Sequence, residues 1–302
     1  LEIDNRSTPI GSKVAADEAV REKIVAIIGP AWSSHAIAVA AVAQENKIPM
    51  ISNISTSEKV TRIGDYIFRV CYTDPFQGLV MARFARDDLK AATAVIFVNL
   101  QSDYSMGLAQ SFRQNFEKMG GAVLGEYQYK YRQHDFGSLV IQAKERDPDV
   151  LFIPGHHESG AIIKHAKQNS LRAIPLGGDG WIGDAFYSRG GDTLREGYYS
   201  THWSEDVENE KSRIFVKKYK HGAIMDSPEA LSYDAVMLLA DAIKRADSTS
   251  RKKIRDAIAL TKDFQGVTGT ITFDLSGDPI KGAVIIKIED GKPGFFKSII
   301  PQ

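Results

Sequence analysis

Two strand ends near the start of this chain carry residue types suited to holding an anion. Ile27-Ile28-Gly29-Pro30-Ala31-Trp32-Ser33-Ser34 runs from a short apolar strand into hydroxyls and opens an Ala/Val-rich helical pattern from Ser33 to Asn46. Met50-Ile51-Ser52-Asn53-Ile54-Ser55-Thr56 then ends a second apolar strand in small polar residues. The first N–H groups of a helix have no partner inside it and carry partial positive charge. A carboxylate at Ser33 would therefore be held by geometry and by the dipole together. Open α/β sheets bind ligands in the crevice beyond the carboxyl ends of their strands, which is where both segments end. A plainer arrangement fits the same residues, with Ser33 capping its helix and Thr56 in an ordinary loop. The two segments alone leave both open.

The other reactive side chains form no constellation that implies catalysis. His156-His157-Glu158 has metal-ligand types, but adjacent residues at a helix start point apart and no third ligand stands at a suitable spacing. No metal and no cofactor is expected. His35 lies two residues beyond Ser33 on a different helix face, and Gly29-Pro30-Ala31-Trp32-Ser33 is not the G-x-S-x-G turn of a serine hydrolase. No G-x-G-x-x-G is read after a predicted strand and no G-x-x-x-x-G-K-[ST] phosphate loop occurs, so an enzyme is not expected. The single cysteine, Cys71, can form no intramolecular disulfide and reads as a small buried apolar residue.

Composition narrows the classes further. The 302 residues are 43% hydrophobic and 25% charged, enough chain for two domains. Lys+Arg and Asp+Glu both number 38, so no electrostatic footprint for nucleic acid or an anionic membrane surface is present. No apolar run approaches the roughly 20 residues that span a bilayer, so no direct membrane insertion is expected.

These residues sit in an alternation of strand and helix. Strands are predicted at Leu1–Asp4, Ile24–Ile28, Pro49–Ser52, Ala94–Asn99, Val123–Tyr129, Val150–Pro154 and Ile174–Gly177. Helices are predicted between them at Lys13–Arg21, Ser33–Asn46, Phe76–Asp87, Met106–Met119, Phe136–Glu145 and Ser159–Gln168. Apolar β-branched strands alternating with helices imply α/β architecture, with parallel sheets covered on both faces. The first three strands and the run from Ala94 read as two separate sheets, with Arg69–Pro75 an extended crossing between them. After Trp203, helical patterns at Asn209–Tyr219, Pro228–Arg245 and Ser250–Leu260 follow with little strand. The chain then alternates strand and turn, at Gly269–Phe273, Ala283–Ile288 and Phe295–Ile299 with turns at Ser276–Pro279 and Asp290-Gly291.

Six segments occur in one order at matching spacings: IIGPAWSSHA (27–36), PMISNISTSE (49–58), FRVCYTDPFQG (68–78), Asp103-Tyr104-Ser105-Met106-Gly107, Gly177-Gly178-Asp179-Gly180-Trp181 and Ser232-Tyr233-Asp234-Ala235-Val236. Together they resemble the leucine/isoleucine/valine-binding-protein family of type I periplasmic binding proteins, the extracytoplasmic receptors of amino-acid ABC transporters. The resemblance implies two Rossmann-like doubly wound lobes joined by three crossings, here near Tyr72–Pro75, Thr201–Ser204 and Lys281–Ile285. The expected lobes are 1–73 plus 203–283, and 74–202 plus 284–302. It also implies a strand, a glycine-rich loop and a helix ahead of Leu1, so the first lobe is expected to lack its first strand and a ligand-touching loop.

Carried over residue by residue, the resemblance places a carboxylate clamp on Ser33 and Thr56, with Ser55 contributing a backbone group. Asp179 falls where the ligand's ammonium is received, although alone it also fits a turn aspartate. Tyr104 matches an aromatic that closes over the ligand. Gly155 and His156 hold a contact position that is tyrosine in the best-known relatives, and Trp32 is a candidate wall of the side-chain pocket. Trp181 reads as a packed aromatic. The function implied is a non-catalytic, periplasmic or otherwise extracytoplasmic receptor, with or without a lipid anchor. It would be monomeric, close on a branched-chain or related α-amino acid, and meet a membrane permease as its partner. The alternatives are a ligand-sensing regulatory domain of the same fold and a binder of aromatic or other small carboxylates.

Overall fold

The structure, a computed structural model, describes residues 1–220 and 225–300. Parts of the expected lobes at 221–224 and 301–302 lie outside the described residues. The chain divides into two compact α/β units, unit 1 formed by Leu1–Thr73 and His202–Gly282 with Ile300, and unit 2 by Asp74–Thr201 and Ala283–Ile299.

Unit 1 begins with α1 (Pro9–Arg21), capped by Thr8, whose hydroxyl accepts the Gly11 N–H at 2.9 Å. Pro9 sits in the first turn, where a missing N–H costs nothing. β1 (Ile27–Ile28), α2 (Ser33–Glu45), β2 (Met50–Ser52) and β3 (Ile67–Arg69) follow, the strands pairing in parallel in the order β1-β2-β3. Ala16, Ala36, Ala40 and Ala43 are buried in one cluster with Ile48, Met50, Val60 and Ile67. Alanine on both helices lets their backbones approach the sheet closely.

Two strand expectations are corrected here. Leu1–Asp4 forms no strand, and Ile24–Ile28 contributes only Ile27–Ile28. β1 is an edge strand, hydrogen-bonded to β2 alone among the described residues.

Unit 2 opens with α3 (Asp74–Arg83), extended by a π-helical turn over Phe84–Asp88. Then come β4 (Thr93–Asn99), α4 (Asp103–Lys118), β5 (Ala122–Tyr129), α5 (Gly137–Lys144), β6 (Val150–Ile153), α6 (Glu158–Gln168), β7 (Ile174–Gly177), α7 (Gly183–Gly190) and β8 (Glu196–Thr201). β6 is buried along its whole length and β4 beyond Thr93, the burial of strands covered on both faces. Phe112 of α4 stacks on Phe152 of β6 with ring centroids 3.9 Å apart, locking helix to sheet.

The chain returns to unit 1 with α8 (Glu210–Tyr219), α9 (Ser227–Ala246), α10 (Arg251–Ala259) and the antiparallel hairpin of β9 (Phe264–Gly266) and β10 (Gly269–Ile271). Asp234 of α9 anchors that hairpin. Its carboxylate accepts the N–H groups of Val267 and Thr268 at 2.7 and 2.8 Å and the Thr268 hydroxyl at 2.6 Å.

β11 (Ala283–Glu289) and β12 (Lys292–Ile299) complete unit 2, joined by Asp290-Gly291 with φ of 48° and 77°, the conformation of a tight hairpin turn. They add antiparallel to β8, giving a seven-stranded sheet in the order β12-β11-β8-β7-β6-β4-β5. This sheet is therefore mixed, where alternation alone implied a parallel one. Sequence reasoning also missed β8 and α7.

Candidate functional site

In unit 1 the candidate residues converge on the turn between β1 and α2. Trp32 occupies the N-cap position of α2 and supplies no side-chain cap, so Ser33 is the first helical residue and not the cap itself. Ser33 is buried, and its hydroxyl oxygen accepts the Ser57 N–H at 3.2 Å, which leaves the hydroxyl able to donate its own proton to an anion. The Ser55 hydroxyl reaches the carbonyls of Pro30 and Ala31 at 3.0 and 2.8 Å, stitching the loop after β2 to the turn after β1. Thr56, 1% exposed, lies between the tethered Ser55 and Ser57.

A side chain that sequence reasoning passed over organises this loop. Arg69 at the end of β3 is fully buried and donates to the carbonyls of Ser55 and Ser57 at 2.6 and 2.9 Å and to the Thr61 hydroxyl at 2.8 Å. Its Nε pairs with Asp278 at 2.5 Å. A fixed guanidinium fork suits this geometry, in which one cation orders several oxygens at once. The available signal was a lone charge inside the apolar run Ile67-Phe68-Arg69-Val70-Cys71. The Ser55 main chain is fully engaged, its N–H with Ser52 Oγ at 3.1 Å and its carbonyl with Arg69 and the Cys71 thiol. Ser55 thus helps to order the loop from within.

Behind the same loop lies Lys281, buried and bonded to the Val70 carbonyl at 3.1 Å and to the Thr268 hydroxyl. Burial pushes its ammonium down to about 8, against the opposing pull of Asp234 and Cys71.

Unit 2 gathers Tyr104, Gly155, His156 and Asp179 around the turn after β7. The Tyr104 hydroxyl accepts the Gly180 N–H at 3.1 Å, and its ring stacks on His156 with centroids 4.9 Å apart. Gly178 and Gly180 are required by this packing. A Cβ on Gly178 would lie 2.5 Å from the Tyr104 hydroxyl, and one on Gly180 would lie 2.5 Å from the Gly155 carbonyl. Asp179, 4% exposed, accepts from the Gln77 amide at 2.8 Å, a partner without a sequence signal. Trp181 is fully buried, donates to the Ile153 carbonyl at 3.0 Å and stacks on Phe186.

Gly178-Asp179-Gly180-Trp181-Ile182-Gly183 has G-x-G-x-x-G spacing between β7 and α7, which corrects the expectation that no such motif follows a strand. Its geometry is unsuited to a pyrophosphate. A buried carboxylate stands inside the turn and the Trp181 ring fills the space over Gly177.

Two α/β units with polar loops at strand ends define a solute-binding class. The sequence model of the Periplasmic binding protein family matches residues 1–292, and the chain belongs to that family. Among its relatives, Leu/Ile/Val-binding protein homolog 1 of Brucella melitensis biotype 1 is 28% identical over 302 residues, covering 98% of this chain and 80% of the relative. The crystal structure of the leucine binding protein LivK from Thermotoga maritima MSB8 is 36% identical with a TM-score of 0.96, covering 99% of this chain and 87% of that one. LivJ from Streptococcus pneumoniae, a branched-chain amino acid transporter substrate binding protein solved with isoleucine, is 28% identical with a TM-score of 0.92, covering 100% and 87%. A benzoate-bound solute binding protein of an R. palustris ABC transporter shares the fold at 19% identity and a TM-score of 0.89, covering 100% and 85%. Among the described residues, no helix is long and apolar enough to cross a membrane.

Proposed function

We propose that this protein is the extracytoplasmic solute-binding component of an amino-acid ABC transporter, taking a branched-chain or related α-amino acid and delivering it to a membrane permease without catalysis. Ser33, at the uncapped start of α2, and Thr56, in the loop after β2, receive the carboxylate, and Asp179 receives the ammonium. Tyr104, His156 and Trp32 enclose the side chain. The observation that carries this reading is the pairing of two kinds of loop in one chain. Unit 1 offers a buried helix-start hydroxyl still able to donate, and unit 2 offers a buried carboxylate held between glycines. A zwitterion supplies an anion for the first and a cation for the second. Similarity to the leucine- and isoleucine-associated relatives supports the choice of ligand class.

A thermal-shift screen of the twenty amino acids, with benzoate and 4-hydroxybenzoate beside them, tests it. A ligand bound only by the native state raises Tm by mass action. The expected result is a rise with leucine, isoleucine or valine and none with the benzoates. A rise with a benzoate alone would overturn the ammonium assignment and favour the aromatic-carboxylate alternative.

A further inference from the structure

A cavity of about 290 Å³ opens within unit 2, beyond the carboxyl ends of β5 and β6. Its lining is strongly basic. Lys130, Arg132 and His134 enter it from the loop after β5, His157 from the start of α6 and Arg189 from α7, against the single carboxylate of Glu158.

That carboxylate is already engaged elsewhere. Glu158 is buried and accepts the Tyr129 hydroxyl at 3.1 Å and the Asn99 amide at 3.5 Å. The ion pairs of unit 2, among the described residues, use Arg113, His165, Arg195, Lys287 and Lys297 instead of the three cations of the cavity. The Arg132 guanidinium stands 5.7 Å over the Tyr131 ring, which restrains its long side chain. Burial holds His157 below the usual imidazole range, and Arg189 and His156 push the same way against Glu158. His157 therefore adds no obligatory charge of its own to the cations of the cavity.

Two guanidinium groups and an ammonium around a space of this size suit a molecule with several anionic oxygens. Guanidinium forks bind such oxygens in pairs, and the volume lies at the small end of ligand pockets, roughly 300 Å³ upward. We propose that this cavity is a second ligand site, binding a small polyanion of phosphate or polycarboxylate chemistry through Lys130, Arg132 and Arg189. None of these residues belongs to the amino-acid site, so the proposal stands or falls independently of it.

Calorimetry on the full chain at low ionic strength tests it, with pyrophosphate and citrate as separate probes and sodium chloride of matched ionic strength as control. Saturable one-site binding of at least one probe is expected, and the tighter of the two identifies the phosphate or the carboxylate source. The double variant Arg132→Gln/Arg189→Gln is expected to weaken that binding at least tenfold while leucine affinity stays unchanged. Should Arg189→Gln disturb α7 by circular dichroism, Lys130→Gln/Arg132→Gln replaces it, both being exposed loop positions, with a loss of at least fivefold expected. Heats no different from the salt control, or a variant that binds the probe as the parent does, would overturn the proposal.

Discussion

The candidate loops of the two units are each held in place by different means. In unit 1 a buried cation does the ordering, since Arg69 gathers the carbonyls of Ser55 and Ser57 and pairs with Asp278. In unit 2 rings and glycines do it, with Tyr104 bonded to the Gly180 N–H and stacked on His156, and the Gln77 amide donating to Asp179. An anion-binding loop can be tied from behind by a cation without spoiling its purpose.

The sharpest way to break this contrast is Arg69→Met. It strands several buried oxygens and leaves Asp278 without its partner, so a loss of about 3 to 5 kcal/mol in urea unfolding is expected, together with loss of amino-acid binding. Unfolding within 1 kcal/mol of the parent would show that the loop orders itself.

Asp179→Asn keeps the shape and the bond from Gln77 but removes the charge. Amino-acid affinity by calorimetry should fall at least about a hundredfold with unfolding unchanged, because a ligand ammonium is left unpaired. Unaltered affinity would reject the ammonium assignment.

Smaller losses should follow from one hydroxyl in each half. Ser33→Ala and Tyr104→Phe each remove a buried hydrogen-bonding group, at about 1 to 2 kcal/mol, or roughly five- to thirtyfold in affinity. The two should differ in kind. Ser33→Ala is expected to weaken every carboxylate ligand alike, whereas Tyr104→Phe should act through the Gly180 turn, whose N–H loses the hydroxyl that accepts it.

The smallest expected effect concerns Lys281, behind the unit 1 loop. Its folded value of about 8 lies below the ordinary 10.5, so the unfolded chain binds the extra proton between those limits. Stability should then climb with pH, by roughly 1 kcal/mol from pH 7 to pH 9 relative to Lys281→Met in paired urea titrations. Parallel curves for the two proteins would contradict the burial of a charged ammonium.

The α/β class was legible because strands such as Thr93–Asn99 and Val150–Ile153 are long apolar runs separated by amphipathic helices such as Asp103–Lys118. Elements whose stability comes from distant partners were not legible. Glu196-Gly197-Tyr198-Tyr199-Ser200-Thr201 has no apolar run and is a strand because Leu176 and Gly177 on one side and Ala283–Glu289 on the other complete its hydrogen bonds. Leu1–Asp4 had the reverse fate, strand-like in pattern but pairing with no strand among the described residues. The grouping of Ser33 with Ser55 and Thr56 followed from small residues placed at adjacent strand ends. Gln77 and the orienting part played by Arg69 depend on side chains meeting across elements, which no local pattern encodes.

The late arrival of β11 has a consequence for how the molecule is made. During synthesis β8 emerges with one flank bare, and the strand that covers it follows only after all of His202–Gly282 has left the ribosome. For that interval the nascent chain carries an open, tyrosine-bearing sheet margin of the type that recruits stray strands. Ribosome-bound chains halted before Ala283 should accordingly be more prone to aggregate, and more dependent on chaperones, than chains released past Ile299.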